Sequence, residues 1–282
     1  MKKIAVIGTG IMGRGIAFAA AQAGIDVLFV ARTPASEIAA GAWLDDRIAG
    51  LTAKGKLTPE TATNLRGRLF IAGSWALREM NGDDIELVIE AITEDLERKR
   101  AVLLEMAAHA PRAVLATNTS SLSVTDLAHA SGAADRVVGL HFFNPVHAMP
   151  LVELVAPMQA SAAAVELARA FAVQLGKTPI QVSDVAGFVV NRALFAMLNE
   201  ACHLAEDGVA ALADVDAGIR GGLAHPMGPF ALMDLIGLDT CLSILESLAR
   251  EHGPRFHPAP ILRRHVAAAR LGKKSGAGFY VY

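Results

Sequence analysis

The chain has 282 residues, enough for one large domain or two of medium size. Hydrophobic residues make up 53% and charged residues 19%, a balance that supports a large buried core and excludes intrinsic disorder. A formal net charge of −2 with both signs interspersed argues against a nucleic-acid or membrane-surface protein, and two distant cysteines, Cys202 and Cys241, argue against a disulfide framework or zinc site.

The first element sets the pattern for the rest. Ile4, Ala5, Val6 and Ile7 form the short apolar run of a buried parallel strand. Gly8, Gly10 and Gly13 follow as G-x-G-x-x-G, and an Ala-rich helix pattern opens at once over residues 11–23. In such a turn the first glycine permits the bend, the second lets a pyrophosphate approach the backbone, and the third lets the helix pack close to the strand. The helix N-terminus adds unpaired N–H groups and a partial positive charge. Strand, glycine turn, helix and a second strand over residues 26–31 predict a dinucleotide-binding unit. The opening residues lead straight into this strand, leaving no room for a signal peptide, and no apolar run reaches the length of a membrane span. The expectation is a soluble, cytoplasmic protein.

At the end of the second strand, where an NAD-binding fold places Asp or Glu for the ribose hydroxyls, stand Ala31, Arg32 and Thr33. No carboxylate is there to repel a 2′-phosphate, while an arginine and a hydroxyl are there to bind one. NADP is the expected cofactor; the alternative is NAD, with Arg32 stacked on the adenine.

Residues 37–66 read as a helical pair turning at Lys54-Gly55-Lys56. Residues 69–72 and 85–90 read as strands, 94–110 as an amphipathic helix, and 113–116 and 137–141 as further strands. Residues 151–155 continue the sheet, 162–175 are helical and 179–182 extended. This alternation predicts an α/β fold with a Rossmann-type, doubly wound, mostly parallel sheet. After Ser183 helical periodicity takes over, at 188–206, 212–220, 230–252 and 261–271, broken by glycines and prolines. The predicted domains are 1–184, binding the dinucleotide, and 185–282, all-helical. The helix over 188–204 is apolar nearly all round, which fits a core element or a subunit interface and predicts a homodimer through the helical domain.

His141 closes a strand, and open parallel sheets bind ligands beyond the carboxyl ends of their strands. Glu153 follows twelve residues later, after a bend between Pro145 and Pro150, so the two strands can run side by side. A carboxylate on one ring nitrogen holds a histidine in the tautomer whose other nitrogen takes a proton. A surface pair or a core histidine has the same spacing. The run Thr117-Asn118-Thr119-Ser120-Ser121 reads equally as a polar strand end or as a turn before a helix capped at Ser121 or Ser123. Asn191 is solvated, or caps the turn before its helix.

Eight segments running in order through the chain narrow these alternatives: VIGTGIMGRGIA (6–17), LVIEA (87–91), NTSSLS (118–123), GLHFFNPV (139–146), LVELV (151–155), GFVVNR (187–192), HPMGPFALMDLIGLD (225–239) and GKKSGAGFYVY (272–282). Together they resemble the 3-hydroxyacyl-CoA dehydrogenase family, in particular its short bacterial 3-hydroxybutyryl-CoA dehydrogenase branch. The resemblance implies hydride transfer between a (3S)-3-hydroxyacyl-CoA and a nicotinamide cofactor, without a metal. It implies His141 as acid and base, Glu153 as the carboxylate that orients it, Ser120 near the substrate oxygen and nicotinamide, and Asn191 on the thioester. Asn144 would help place substrate and cofactor; Gly8, Gly10, Met12, Gly13, Ala31, Arg32, Glu94 and Lys99 would lie on the cofactor side, and Lys54 would face the coenzyme A phosphate. The departure is Ala31, where the family usually has aspartate. A carrier-protein thioester, a free hydroxy or sugar acid, and a recruited structural role are the rival readings.

Overall fold

Short runs of β-branched and aliphatic residues build an eight-stranded sheet in the order β3-β2-β1-β4-β5-β6-β7-β8. The computed structural model describes residues 1–73 and 84–282, which divide into two units, Met1–Asp184 and Val185–Tyr282. In the first, β1 (Lys3–Ile7), β2 (Asp26–Ala31), β3 (Leu69–Gly73), β4 (Leu87–Glu90), β5 (Val114–Thr117) and β6 (Val137–Phe142) are parallel. β7 (Leu151–Ala156) returns antiparallel to β6, and β8 (Thr178–Ser183) runs parallel to β7. Strand order reverses between β1 and β4, and open α/β sheets bind ligands at such a point.

The helices begin where the chain offers caps. α1 (Ile11–Gln22) follows the glycine turn. α2 (Pro34–Ala53) starts with Pro34 behind a reciprocal capping box between Thr33 and Ser36. α3 (Pro59–Gly67) is capped by Thr58, α4 (Leu96–His109) by Asp95, α5 (Val124–Ala130) by Ser123 and α6 (Ala162–Gln174) by Ser161. Glu94, which reads as helical by periodicity, therefore stands one residue before a cap, in the loop after β4. Phe18, Phe29 and Phe171 are among the largest fully buried side chains of this unit, and Phe171 of α6 meets Phe142 of β6 edge to face.

The bend between β6 and β7 is tied down from outside. Lys177, between α6 and β8, donates from Nζ to the carbonyls of Val146 and Met149 at 2.5 and 2.9 Å, and the Thr178 amide donates to the Pro150 carbonyl at 2.7 Å.

The second unit holds α7 (Val190–Glu206), α8 (Leu212–Leu223), α9 (Pro229–Ile236), α10 (Leu238–His252) and α11 (Pro260–Ala267) around Phe195, Leu198, Phe230, Met233, Leu245 and Leu262. The periodicity of 230–252 predicts one helix, and the structure has two. Gly237 breaks them with φ of 103°, a conformation that other residues rarely adopt. Two buried aspartates fasten the last residues. Asp234 accepts from the Phe279 and Tyr280 amides and the Tyr282 hydroxyl. Asp216 accepts from the Phe230 and Ala231 amides at the start of α9 and from the Tyr280 hydroxyl. Among the described residues no helix is long and apolar enough to cross a membrane.

Candidate active site

The turn after β1 has no room for side chains at two of its glycines and open room at the third. A Cβ on Gly13 would lie 1.7 Å from the Gly8 carbonyl oxygen, so helix and strand meet backbone to backbone; at Gly10 a Cβ would meet nothing within 4 Å. That opening faces a cavity of about 1020 Å³, the upper end of the range for small-molecule sites. Gly10 is the N-cap of α1 and supplies no side-chain bond to it, which leaves the helix N-terminus to a ligand. An open glycine at a helix start, at the sheet's switch point, fits the pyrophosphate of a dinucleotide.

Ala31, Arg32 and Thr33 line one part of the cavity, with Gly8, Gly10 and Met12 beside the turn. Ala31 is buried and Arg32 exposed. The Thr33 hydroxyl, expected to help hold a 2′-phosphate, is engaged in the α2 capping box, accepting from the Ser36 amide at 3.2 Å. Arg32 is the charged side chain of that triplet on the cavity wall.

Glu94, Asn118, Ser120, His141 and Asn144 line another part. His141 and Glu153 are partners in the β6–β7 register, with Nδ1 and Oε2 2.7 Å apart; Glu153 is fully buried and the Phe143 ring lies against the imidazole at 4.6 Å. Asn118, a residue the sequence does not single out, accepts the Phe142 amide on its Oδ1 at 2.9 Å and so fastens the end of β6 to the end of β5. Asn144 precedes Pro145 through a cis peptide bond.

Glu94 divides its two oxygens between two tasks. Oε1 accepts from the Thr119 hydroxyl at 2.6 Å, from the Ser120 and Ser121 amides at 2.9 and 3.0 Å, and from both serine hydroxyls. Oε2 faces the Lys99 ammonium at 3.4 Å. Burial pushes this carboxyl up, but the Lys99 charge and the bonds from residues 119–121 outweigh it and hold it below its ordinary value of 4.5. Lys99, expected on the cofactor side, does not line the cavity. It is fully buried, its ammonium bonded to Glu90 at 2.7 and 3.0 Å.

Lys54 is the exposed C-cap of α2 and is not part of the cavity wall. Asn191 belongs to the helical unit, in the first turn of α7. Among the described residues no cluster of His, Cys, Asp and Glu could hold a metal ion.

Fold and site together define a dinucleotide-binding α/β protein with a buried histidine–carboxylate pair near the carboxyl end of its sheet. Comparison with known proteins is in keeping with this. The model of the 3-hydroxyacyl-CoA dehydrogenase NAD binding domain matches residues 3–185, and that of the 3-hydroxyacyl-CoA dehydrogenase C-terminal domain matches residues 187–282. A probable 3-hydroxybutyryl-CoA dehydrogenase of Bacillus subtilis is 42% identical, over 100% of this chain and 98% of its own length. The mitochondrial hydroxyacyl-coenzyme A dehydrogenase of Mus musculus is 37% identical, over 100% and 91%. The crystal structure of (S)-3-hydroxybutyryl-CoA dehydrogenase PaaH1 from Ralstonia eutropha superposes with a TM-score of 0.95 at 39% identity, over 100% of this chain and 99% of that one. The chain belongs to the 3-hydroxyacyl-CoA dehydrogenase family.

Proposed function

We propose that this protein interconverts a (3S)-3-hydroxyacyl-CoA, with 3-hydroxybutyryl-CoA as the substrate, and the corresponding 3-ketoacyl-CoA, with His141 as acid and base. The observation that carries the reading is the His141–Glu153 pair, buried at the wall of a cavity that opens on the glycine turn. Gly8, Gly10, Met12, Gly13, Ala31, Arg32 and Glu94 would hold the nicotinamide dinucleotide, which would supply the hydride acceptor in oxidation and the donor in reduction.

In oxidation Nε2 of His141 takes the 3-hydroxyl proton as the C3–H bond breaks. In reduction the imidazolium returns it to the 3-keto oxygen, so one residue serves both directions. Glu153 accepts from Nδ1–H, fixes the tautomer and stabilises the imidazolium. Ser120 lies near the substrate oxygen, Asn144 helps to place the substrate, Asn191 holds the thioester and Lys54 meets the coenzyme A phosphate. Acid–base help of this kind supplies about 10²–10⁴-fold, and positioning much of the rest.

NADP is the preferred cofactor in this reading, because Ala31 removes the carboxylate that repels a 2′-phosphate and Arg32 stands exposed beside it. The working form is a dimer through the helical unit, where Val209, Leu223 and Leu235 are exposed apolar side chains. Absorbance at the nicotinamide band with acetoacetyl-CoA and each reduced cofactor tests the activity and the cofactor. Turnover with NADPH ahead of NADH is expected. No turnover with either would overturn the function, and a clear preference for NADH would overturn the cofactor.

A further inference from the structure

Behind the cavity wall lies a buried ion pair that the reaction does not touch. Glu90, the last residue of β4, and Lys99, in α4, are both fully buried. Glu90 Oε1 accepts from the Ile92 amide at 2.6 Å and from Lys99 at 2.7 Å; Oε2 accepts from the Thr117 hydroxyl at 2.8 Å and from Lys99 at 3.0 Å. The carboxylate is thereby filled to roughly its full acceptor capacity of four lone-pair sites. Lys99 turns its remaining side to Glu94, whose other oxygen gathers the amides and hydroxyls of residues 119–121. The groups form one line, from a strand end through an ammonium to a carboxylate to Ser120.

Such a pair is a poor device for stability alone. Removing two charges from water costs several kcal/mol per ion, and apolar side chains of equal volume commonly do as well or better. What apolar packing could not do is aim one oxygen of Glu94 away from the serine loop while the other holds it. We propose that Glu90 is a positioning residue for the reaction: through Lys99 it fixes Glu94, and through Glu94 it holds Ser120 at the cavity wall. This rests on the reading that Ser120 meets the substrate oxygen.

Two variants test it. Glu90→Gln keeps the shape and removes the charge; Thr117→Val is a mild change within a strand that removes one of the four bonds. The first readout needs neither cofactor nor substrate: amide hydrogen exchange at residues 119–121 of the free protein should quicken about tenfold in Glu90→Gln, as a locally loosened segment does. The second is kinetic. Small misplacements near reacting groups cost up to about 100-fold, so kcat in Glu90→Gln should fall about 10–100-fold with KM for the acyl-CoA within about threefold, and Thr117→Val should show the same split more weakly. Wild-type exchange and kcat in both folded variants would overturn the proposal. So would faster exchange with unchanged kcat, or a Glu90→Gln chain that cannot fold beside a Thr117→Val indistinguishable from its parent. If the parent does not turn over an acyl-CoA while exchange still responds to Glu90→Gln, the functional reading fails and the coupling of Glu90 to the loop stands.

Discussion

His141 and Glu153 occupy opposite positions of one antiparallel ladder, and that register alone brings Nδ1 and Oε2 to 2.7 Å. Two backbones fix the distance, so neither side chain has to search for the other. The acceptor-only carboxylate fixes the proton on Nδ1. Glu153→Gln removes the carboxylate charge that stabilises the imidazolium, and an amide that turns its N–H to Nδ1 selects the tautomer with Nε2 protonated and unable to act as base. The expected loss in kcat is roughly 10²–10⁴-fold. Cofactor affinity, followed by quenching of protein fluorescence, should stay near the parent value, as it should for His141→Ala. Unchanged turnover in either variant would refute the dyad.

The Glu94 carboxyl is held below its ordinary value, and the sign of the consequence follows. A lowered carboxyl contributes above the value it has in the unfolded chain, and the contribution is lost as pH falls through the folded one. Order in residues 119–121 should therefore persist to pH 4.5 and decay below it. Amide exchange between pH 6 and 3 would show this, and Glu94→Gln should abolish the dependence.

The proposal of NADP as the preferred cofactor rests on Arg32. A hydrogen bond to a charged group is worth about 1.5–3 kcal/mol, so Arg32→Ala should raise KM for NADPH about tenfold or more while KM for NADH moves little. Ala31→Asp should reverse the order of the two cofactors. Steady-state kinetics with both cofactors measure each.

In the helical unit, Asp234→Ala would leave the Phe279 and Tyr280 amides and the Tyr282 hydroxyl without their acceptor. Of these the Phe279 amide is buried, and orphaning it costs about 1–3 kcal/mol, a loss that urea unfolding would register. Burial and the bond to Asp234 push the Tyr282 hydroxyl up to about 12 from its ordinary 10.0. A raised acid stabilises below its unfolded value and ceases to as pH rises through the folded one, so this contribution should drain away between about pH 10 and 12. Tyr282→Phe should flatten that limb.

The parts of this molecule legible in its sequence are those that local chemistry dictates. The strand, glycine turn and helix of residues 3–22 follow from apolar periodicity and from glycine itself, and the register of β6 and β7 from twelve residues folded about a proline-bounded bend. The helical segment at 230–252 misleads, because its apolar periodicity runs unbroken through Gly237, and the glycine is the one local sign of a φ of 103°. The tasks of Lys99, Asn118 and Glu90 depend on partners 9 to 27 positions away on neighbouring strands and helices. No spacing rule pairs such residues, although a lysine and glutamates beside two apolar strand ends mark where to look.

The single ammonium of Lys177 grips both ends of the bend that sets the His141–Glu153 register, and the edge strand β8 begins at the very next residue. Capping that amine by acylation would leave one N–H where two carbonyls now compete for it, and the hairpin would slacken at Val146 or Met149. The His141–Glu153 pair is thus moored to the rim of the sheet, and an adduct on a side chain outside the cavity wall would reach it mechanically.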